Sequence, residues 1–328
     1  MIRKLSLPSP ALTRALTRAQ TRALTRALVL GLVFFGLPPA SAAAAALEVQ
    51  PVSAGVYALV GEKAQRSPDN LANNATFGVV VTDDGVVLID PGGSWRGAEA
   101  IDTAIRALTD QRVRFVIDTG GQDHRWLGNG YWQAKGAKVI ASAAAVADQR
   151  DRGSMQLTAL RELLGDAVAG TEPATADIVF DDLYSFALGG VPFEVKHAGP
   201  AHTPGDSYVW LPEQRVVFTG DIVYVERLLG VGPQSNSKHW LRAFQALARL
   251  DPLHLVPGHG GATTLARARA ETYDYLANLR ARIADHLNAG GDMIGAVEVD
   301  QSAFAGLEQF DALARRNAQQ VFSEMEWE

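Results

Sequence analysis

Residues 77–93 read Phe-Gly-Val-Val-Val-Thr-Asp-Asp-Gly-Val-Val-Leu-Ile-Asp-Pro-Gly-Gly. Two apolar, β-branched runs, Phe77–Thr82 and Val86–Asp90, flank Asp83-Asp84-Gly85. A short polar turn ending in glycine between two such runs predicts an antiparallel hairpin. The runs are apolar at nearly every position, as strands covered on both faces are. Asp90-Pro91-Gly92-Gly93 ends the second run abruptly, because proline cannot donate to a sheet ladder and glycine favours turns. A carboxylate is thereby left at a strand end, where sheet proteins build their sites.

Working outward, residues 47–61 alternate apolar and polar side chains and predict one or two edge strands, and the polar stretch 62–75 predicts a loop. Residues 97–109 carry Ile101, Ile105 and Leu108 at helical spacing. Arg114–Thr119 predicts a short strand ending at Gly120-Gly121; a helix with Tyr131-Trp132, a strand at Val139–Ala141 and a helix at 143–168 follow. The second half predicts strands at Ile178–Phe180, Tyr184–Leu188, Phe193–His197, Ser207–Leu211, Val216–Thr219 and Leu253–Val256, and helices at 238–249, 263–288 and 302–325. No linker interrupts this order. The expectation is an α/β protein: a single domain over residues 43–328, folded as an αββα sandwich of two mixed β-sheets with helices outside.

The 328 residues contain 47% hydrophobic and 20% charged side chains, enough apolar material for a sizeable core. Cysteine is absent, so disulfides, Cys-ligated metals and thiol nucleophiles are excluded, and any metal must rest on carboxylates and the seven histidines. Residues 1–42 hold six basic and no acidic side chains, leaving 24 basic against 36 acidic and a charge of −12 on the remainder. That balance argues against a nucleic-acid partner. The basic stretch, which repeats Ala-Leu-Thr-Arg, runs into the apolar segment Ala27–Leu37 and then Ala40-Ser41-Ala42. This is the layout of a secretory signal, with cleavage expected after Ala42 and a periplasmic or secreted product. The apolar run is shorter than the roughly 20 residues a membrane helix needs, so no stable span is expected after cleavage.

Polar groups follow the strands at Asp90, at Gln122-Asp123-His124, at His202, at Asp221 and at His259. Imidazoles and carboxylates gathered at one sheet edge suit a borderline divalent cation such as zinc. Outside such clusters, His197, His239, His254 and His286 are expected to be structural or at the surface, and Trp126, Tyr131 and Trp132 to pack in the core.

The order Phe77–Asp90 plus Gly-Gly, then Ala-His-Thr-Pro-Gly-Asp-Ser at 201–207, Phe-Thr-Gly-Asp at 218–221 and Pro-Gly-His-Gly at 257–260, resembles the metallo-β-lactamase-fold hydrolases over roughly residues 47–290. Arg316-Asn317 ahead of a helical end rich in Glu is similar to a periplasmic branch of that family, found beside sulfur-oxidation or quinoprotein systems. The family's first motif, H-x-H-x-D-H, is incomplete here: between Thr119 and Gly128-Asn129 stands Gly-Gly-Gln-Asp-His-Arg-Trp-Leu. An ungapped register puts Gly120 and Gln122 at the paired histidines, His124 at the Asp and Arg125 at the last His. A register shifted by one residue instead restores Asp123-His124 as the D-H pair. Both remove the two histidines of the first metal site, leaving only His202 there.

The resemblance implies one ion, zinc foremost with iron or none as alternatives, held by His124, Asp221 and His259, with Asp123 as fourth ligand or base and His202 as residual ligand or catalytic donor. Asp90 would orient a ligand. The activity implied is attack by a water on that ion at an ester, thioester or amide carbonyl of a small molecule. The alternative is a non-catalytic protein of this fold serving a periplasmic oxidation pathway beside a redox protein, and a third, weaker expectation is iron redox chemistry.

Overall fold

The computed structural model describes residues 47–328; the expected signal at 1–42 and its cleavage boundary lie outside the described residues. Seven strands form the first sheet in chain order: β1 (Glu48–Ser53), β2 (Val56–Val60), β3 (Thr76–Thr82), β4 (Gly85–Ile89), β5 (Val113–Ile117), β6 (Lys138–Ser142) and β7 (Ile178–Phe180). Pairing is antiparallel from β1 to β4 and parallel from β4 to β7. The second sheet runs β12-β11-β10-β9-β8, with β8 (Leu183–Leu188), β9 (Val191–His197), β10 (Ser207–Leu211), β11 (Val216–Phe218) and β12 (His254–Val256). Only β11 and β12 pair in parallel within it.

The strand at the heart of the hairpin shows why two sheets stack. Val87 and Ile89 of β4 pack with Phe193, Val209 and Phe218 of the second sheet, while Val86 and Leu88 face Ile101 and Ile105 of α1 (Trp95–Leu108). Alternate residues of one strand thus feed two apolar layers. Each such side chain contributes about 1.5–3 kcal/mol when fully buried. On the far side, α4 (Ser237–Ala248) and α6 (Asp274–Asn288) cover the second sheet through Trp240, Phe244, Leu276 and Leu279. The result is the αββα sandwich of two mixed sheets. The remaining helices are α2 (Asn129–Ala134), α3 (Ala143–Leu164), α5 (Leu265–Ala268), α7 (Met293–Ala296) and α8 (Phe310–Met325). Ser94, Ser142 and Asn236 cap α1, α3 and α4 by accepting from the backbone N–H of Gly97, Ala145 and His239.

Two expectations need correction. The helix expected at 302–325 starts only at Phe310, after a single turn at Ser302–Phe304. Gln309 adopts a left-handed φ of 65°, and Leu228 N–H donates to Glu308 O, so residue 308 is held as extended backbone against 227. Arg316-Asn317 lie in the middle of α8, ahead of its Glu-containing end. The helix expected at 263–288 is divided by a π turn at Arg269–Tyr273, where Thr272 Oγ1 donates to Tyr224 O. Among the described residues no helix is long and apolar enough to cross a membrane.

Candidate metal centre

The C-terminal ends of β4, β5, β11 and β12 gather at one edge of the sandwich. His124 lies on the single turn Asp123–Arg125 after β5, Asp221 on the turn Gly220–Ile222 after β11, and His259 just after β12. One ligand atom from each of these three lies within 4.8 Å of the other two. His124 Nε2 is 3.3 Å from Asp221 Oδ2, and His259 Nε2 is 3.2 Å from Asp221 Oδ1. His124 Nε2, His259 Nε2 and Asp221 Oδ2 are all buried, and none has a hydrogen-bond partner of good geometry. Three orphaned donor atoms facing one point are costly without a cation between them. Two imidazoles and a carboxylate make a donor set that fits a divalent ion.

Asp90 and Asp221 are spanned from beneath by Arg125, whose side chain is fully buried. Arg125 Nη1 donates to Asp90 Oδ2 at 2.8 Å and to Thr76 O at 3.1 Å; Nη2 donates to Asp221 Oδ1 at 2.7 Å and to Gly258 O at 2.8 Å. Gly258 is required here, because a Cβ would meet Gly220 O and come within 2.7 Å of Arg125 Nη2. Burial opposes ionisation of Asp221, but Arg125 and His124 outweigh it and hold its carboxyl well below the usual range. Asp90 itself has a left-handed φ of 68° and accepts from the Thr119 backbone N–H and hydroxyl, both at 2.8 Å. It therefore sets the strand end and Arg125, and touches none of the three donor atoms.

Asp123 is not a member of the trio. Its Oδ1 is 2.6 Å from Arg66 Nη2 and accepts from the His124 backbone N–H at 2.8 Å. Burial pushes its pKa up, but Arg66 and the His124 contacts outweigh that and hold it low. Asp123 Oδ1 also lies 3.2 Å from His124 Nδ1. Arg66 Nη2 lies 3.3 Å from the same Nδ1, so Asp123 and Arg66 together hold this ring by its outer nitrogen. The geometry matches the ungapped register, with His124 turned inward and Arg125 beneath.

His202 is the second departure. It lies outside the trio and lines the same cavity, with Nδ1 2.9 Å from Gly230 O. Only an N–H can meet a carbonyl, so Nδ1 carries the proton and Nε2 keeps its lone pair. Burial lowers the His202 pKa to about 4, with His124 adding to the effect, so the ring is neutral at pH 7. Its expected neighbours do not assemble into a metal site. Gly120 packs against Asp206, where a Cβ would overlap the carboxylate. Asp206 is held by the Thr203 backbone N–H at 2.8 Å and by the Thr203 hydroxyl, and burial pushes its pKa up to about 8. Gln122 Nε2 turns to Asp123 at 3.2 Å.

The other histidines lie away from the trio: His197 Nδ1 meets Asp206 O and His286 Nε2 meets Asp292 O, both at 2.8 Å. Trp126, Tyr131 and Trp132 are buried core residues. Sequence reasoning missed Arg66, Tyr224 and Arg227. Tyr224 stacks on His259 with centroids 4.5 Å apart, and both arginines line the cavity. Arg125 had one signal, its place at the motif's last His.

The metallo-β-lactamase superfamily model matches residues 72–259, which include all three converging donors. The chain belongs to the metallo-β-lactamase superfamily. It is 25% identical over 193 residues, 57% of its own length and 69% of the relative's, to a metallo-β-lactamase type 2 from Elizabethkingia meningoseptica. A solved metallo-β-lactamase from Pontibacter korlensis is 25% identical, with a TM-score of 0.58 over 71% of this chain and 99% of that one. A double mutant of the sec-alkyl sulfatase PisA1 shares the fold at 16% identity, with a TM-score of 0.66 over 85% of this superfamily member and 50% of that chain.

Proposed function

We propose that this superfamily member is an exported hydrolase built on one divalent ion, zinc by preference, held by His124, Asp221 and His259, and that it cleaves an ester, thioester or amide of a small molecule. The observation that carries this is the convergence of three buried, unpartnered donor atoms. Bound there, the ion supplies Lewis acidity: it lowers the pKa of a coordinated water and polarises the scissile carbonyl.

The chain's own groups do the rest. Arg125 offsets one of the two carboxylates Asp90 and Asp221, so these three groups together keep a net charge of about −1, which suits a dication. Asp123 aligns His124. His202 Nε2, unprotonated and facing the cavity, is the group placed to take a proton as the nucleophile attacks and to return it to the leaving atom.

Metal content per chain of the mature protein, measured by mass spectrometry, tests this. Near one zinc is expected, and none in His259→Ala or Asp221→Ala. A content near zero after zinc supplementation would refute the proposal, and two zincs would show that the first motif still holds an ion.

Two contacts favour the non-catalytic reading, Arg66 Nη2 at 3.3 Å from His124 Nδ1 and a second at His259. Arg227 Nη1 lies 3.5 Å from His259 Nδ1 and can only donate there, which leaves the proton of a neutral His259 on Nε2, toward Asp221. In a metal-free protein that contact closes the trio, and the chain would bind rather than convert its ligand, beside a redox protein. The metal count separates the two readings.

A further inference from the structure

The cavity above the trio has a volume of about 270 Å³, at the small end for ligand sites. Arg66, Arg227 and Arg316 line it and no Asp or Glu does, although residues 47–328 carry 24 basic against 36 acidic side chains. The hydrolytic chemistry leaves this charge pattern unused.

The three guanidiniums differ in how they are compensated. Arg66 is paired with Asp123 at 2.6 Å. Arg227 is only 4% exposed, donates Nη1 to Ala64 O at 3.2 Å, and has a buried Nε without a partner. Among the described residues it makes no ion pair. The carboxylates beside it along the chain and across the bridge, Glu226 and Glu308, are taken by Lys63 at 3.3 and 2.9 Å. A buried cation with no ion pair of its own is unfavourable, and Arg227 lines the cavity, where an anionic group could reach it.

Arg316 comes from α8, beyond the residues matched by the superfamily model. It makes no ion pair among the described residues, whereas the adjacent Arg315 turns away to Glu298 at 2.6 Å. Asn317 pins this helix to the rim, donating Nδ2 to Leu229 O and accepting from Val231 N–H, both at 2.8 Å.

We propose that Arg227 and Arg316 form an oxyanion-recognition subsite, so that the small molecule entering this cavity carries a carboxylate, sulfate or phosphate group. Guanidinium is the side chain suited to such groups, because its planar fork donates in pairs. The proposal rests on the hydrolase reading only in naming that molecule a substrate; the subsite itself requires no metal.

Calorimetric titration of the EDTA-treated mature protein with sodium acetate, sodium sulfate or inorganic phosphate, at ionic strength held constant with chloride, tests it. Saturable binding of at least one anion is expected. It should weaken about tenfold or more in Arg316→Gln and vanish in Arg316→Glu. It should be unchanged in Arg215→Gln, whose exposed side chain pairs with Asp251. Preference for acetate assigns a carboxylate ligand, and preference for sulfate or phosphate a tetrahedral one. No saturable binding, equal binding by wild type and Arg316→Gln, or binding only after zinc is restored would overturn the subsite. Anion binding by a protein that takes up no zinc would keep the subsite and refute the hydrolase.

Discussion

The two halves of this site treat their buried polar atoms in opposite ways. Around Asp221, three donor atoms remain buried and unpartnered, facing one another. Around Gly120, the space of the first motif is closed by the protein itself: Asp206 fills the volume a side chain would need, and Thr203 accepts the Gly121 backbone N–H at 3.2 Å. One half keeps three orphaned atoms facing one another, while in the other the Asp206 carboxylate and the Gly121 N–H are both met by Thr203. The first therefore has the donor set an ion would need and the second does not, because an unpaired buried donor is costly to retain without a ligand.

The strongest way to break this contrast is to delete a donor. Asp221→Ala or His259→Ala should abolish zinc binding outright, read as metal per chain, while Gly120→His with Gln122→His should not add a second ion. Next in size is the ion pair beneath the trio. Arg125→Met leaves Asp90 and Asp221 buried and uncompensated, and should lower unfolding stability by about 3–5 kcal/mol in chemical denaturation. Asp123→Asn tests the outer carboxylate, and zinc affinity measured by chelator competition should fall about 10–100-fold without loss of the fold.

A smaller effect reports on the closed half. The folded pKa of Asp206 is about 8, above its unfolded value near 3.9, so the unfolded chain releases this proton first as pH rises. Its contribution to stability therefore falls between about pH 4 and pH 8. Asp206→Asn should flatten that slope in thermal melts of the metal-free protein. If the slope persists, Asp206 is not the neutral filler of the first motif's space.

Much of the architecture was legible because it rests on local periodicity. The 77–93 hairpin, the buried runs of both sheets and the helix with Ile101 and Ile105 fall where alternation and helical spacing put them. The tail was not, since a left-handed Gln309 and the bridge between Arg227 and Glu308 join residues far apart in the chain. The site divides in the same way. His124, Asp221 and His259 were visible as polar residues after strands, each beside a turn. The separation of Asp123 from them was not: neighbours on one turn point in different directions, and Arg66, from a loop before the hairpin, decides which carboxylate stays free.

By itself the sequence determined the superfamily, the order of the strands, the exclusion of thiol ligands and the shortage of histidines for two ions, since these follow from composition and from motifs of a few residues. Only the tertiary structure decided that Arg125 is an internal counter-ion, that His202 presents a lone pair, and that Arg316 of the last helix shares a cavity with Arg227. Charges separated by many residues interact only once folding has brought them together, and where they are buried, as at Arg125 and Arg227, the low dielectric makes each group count.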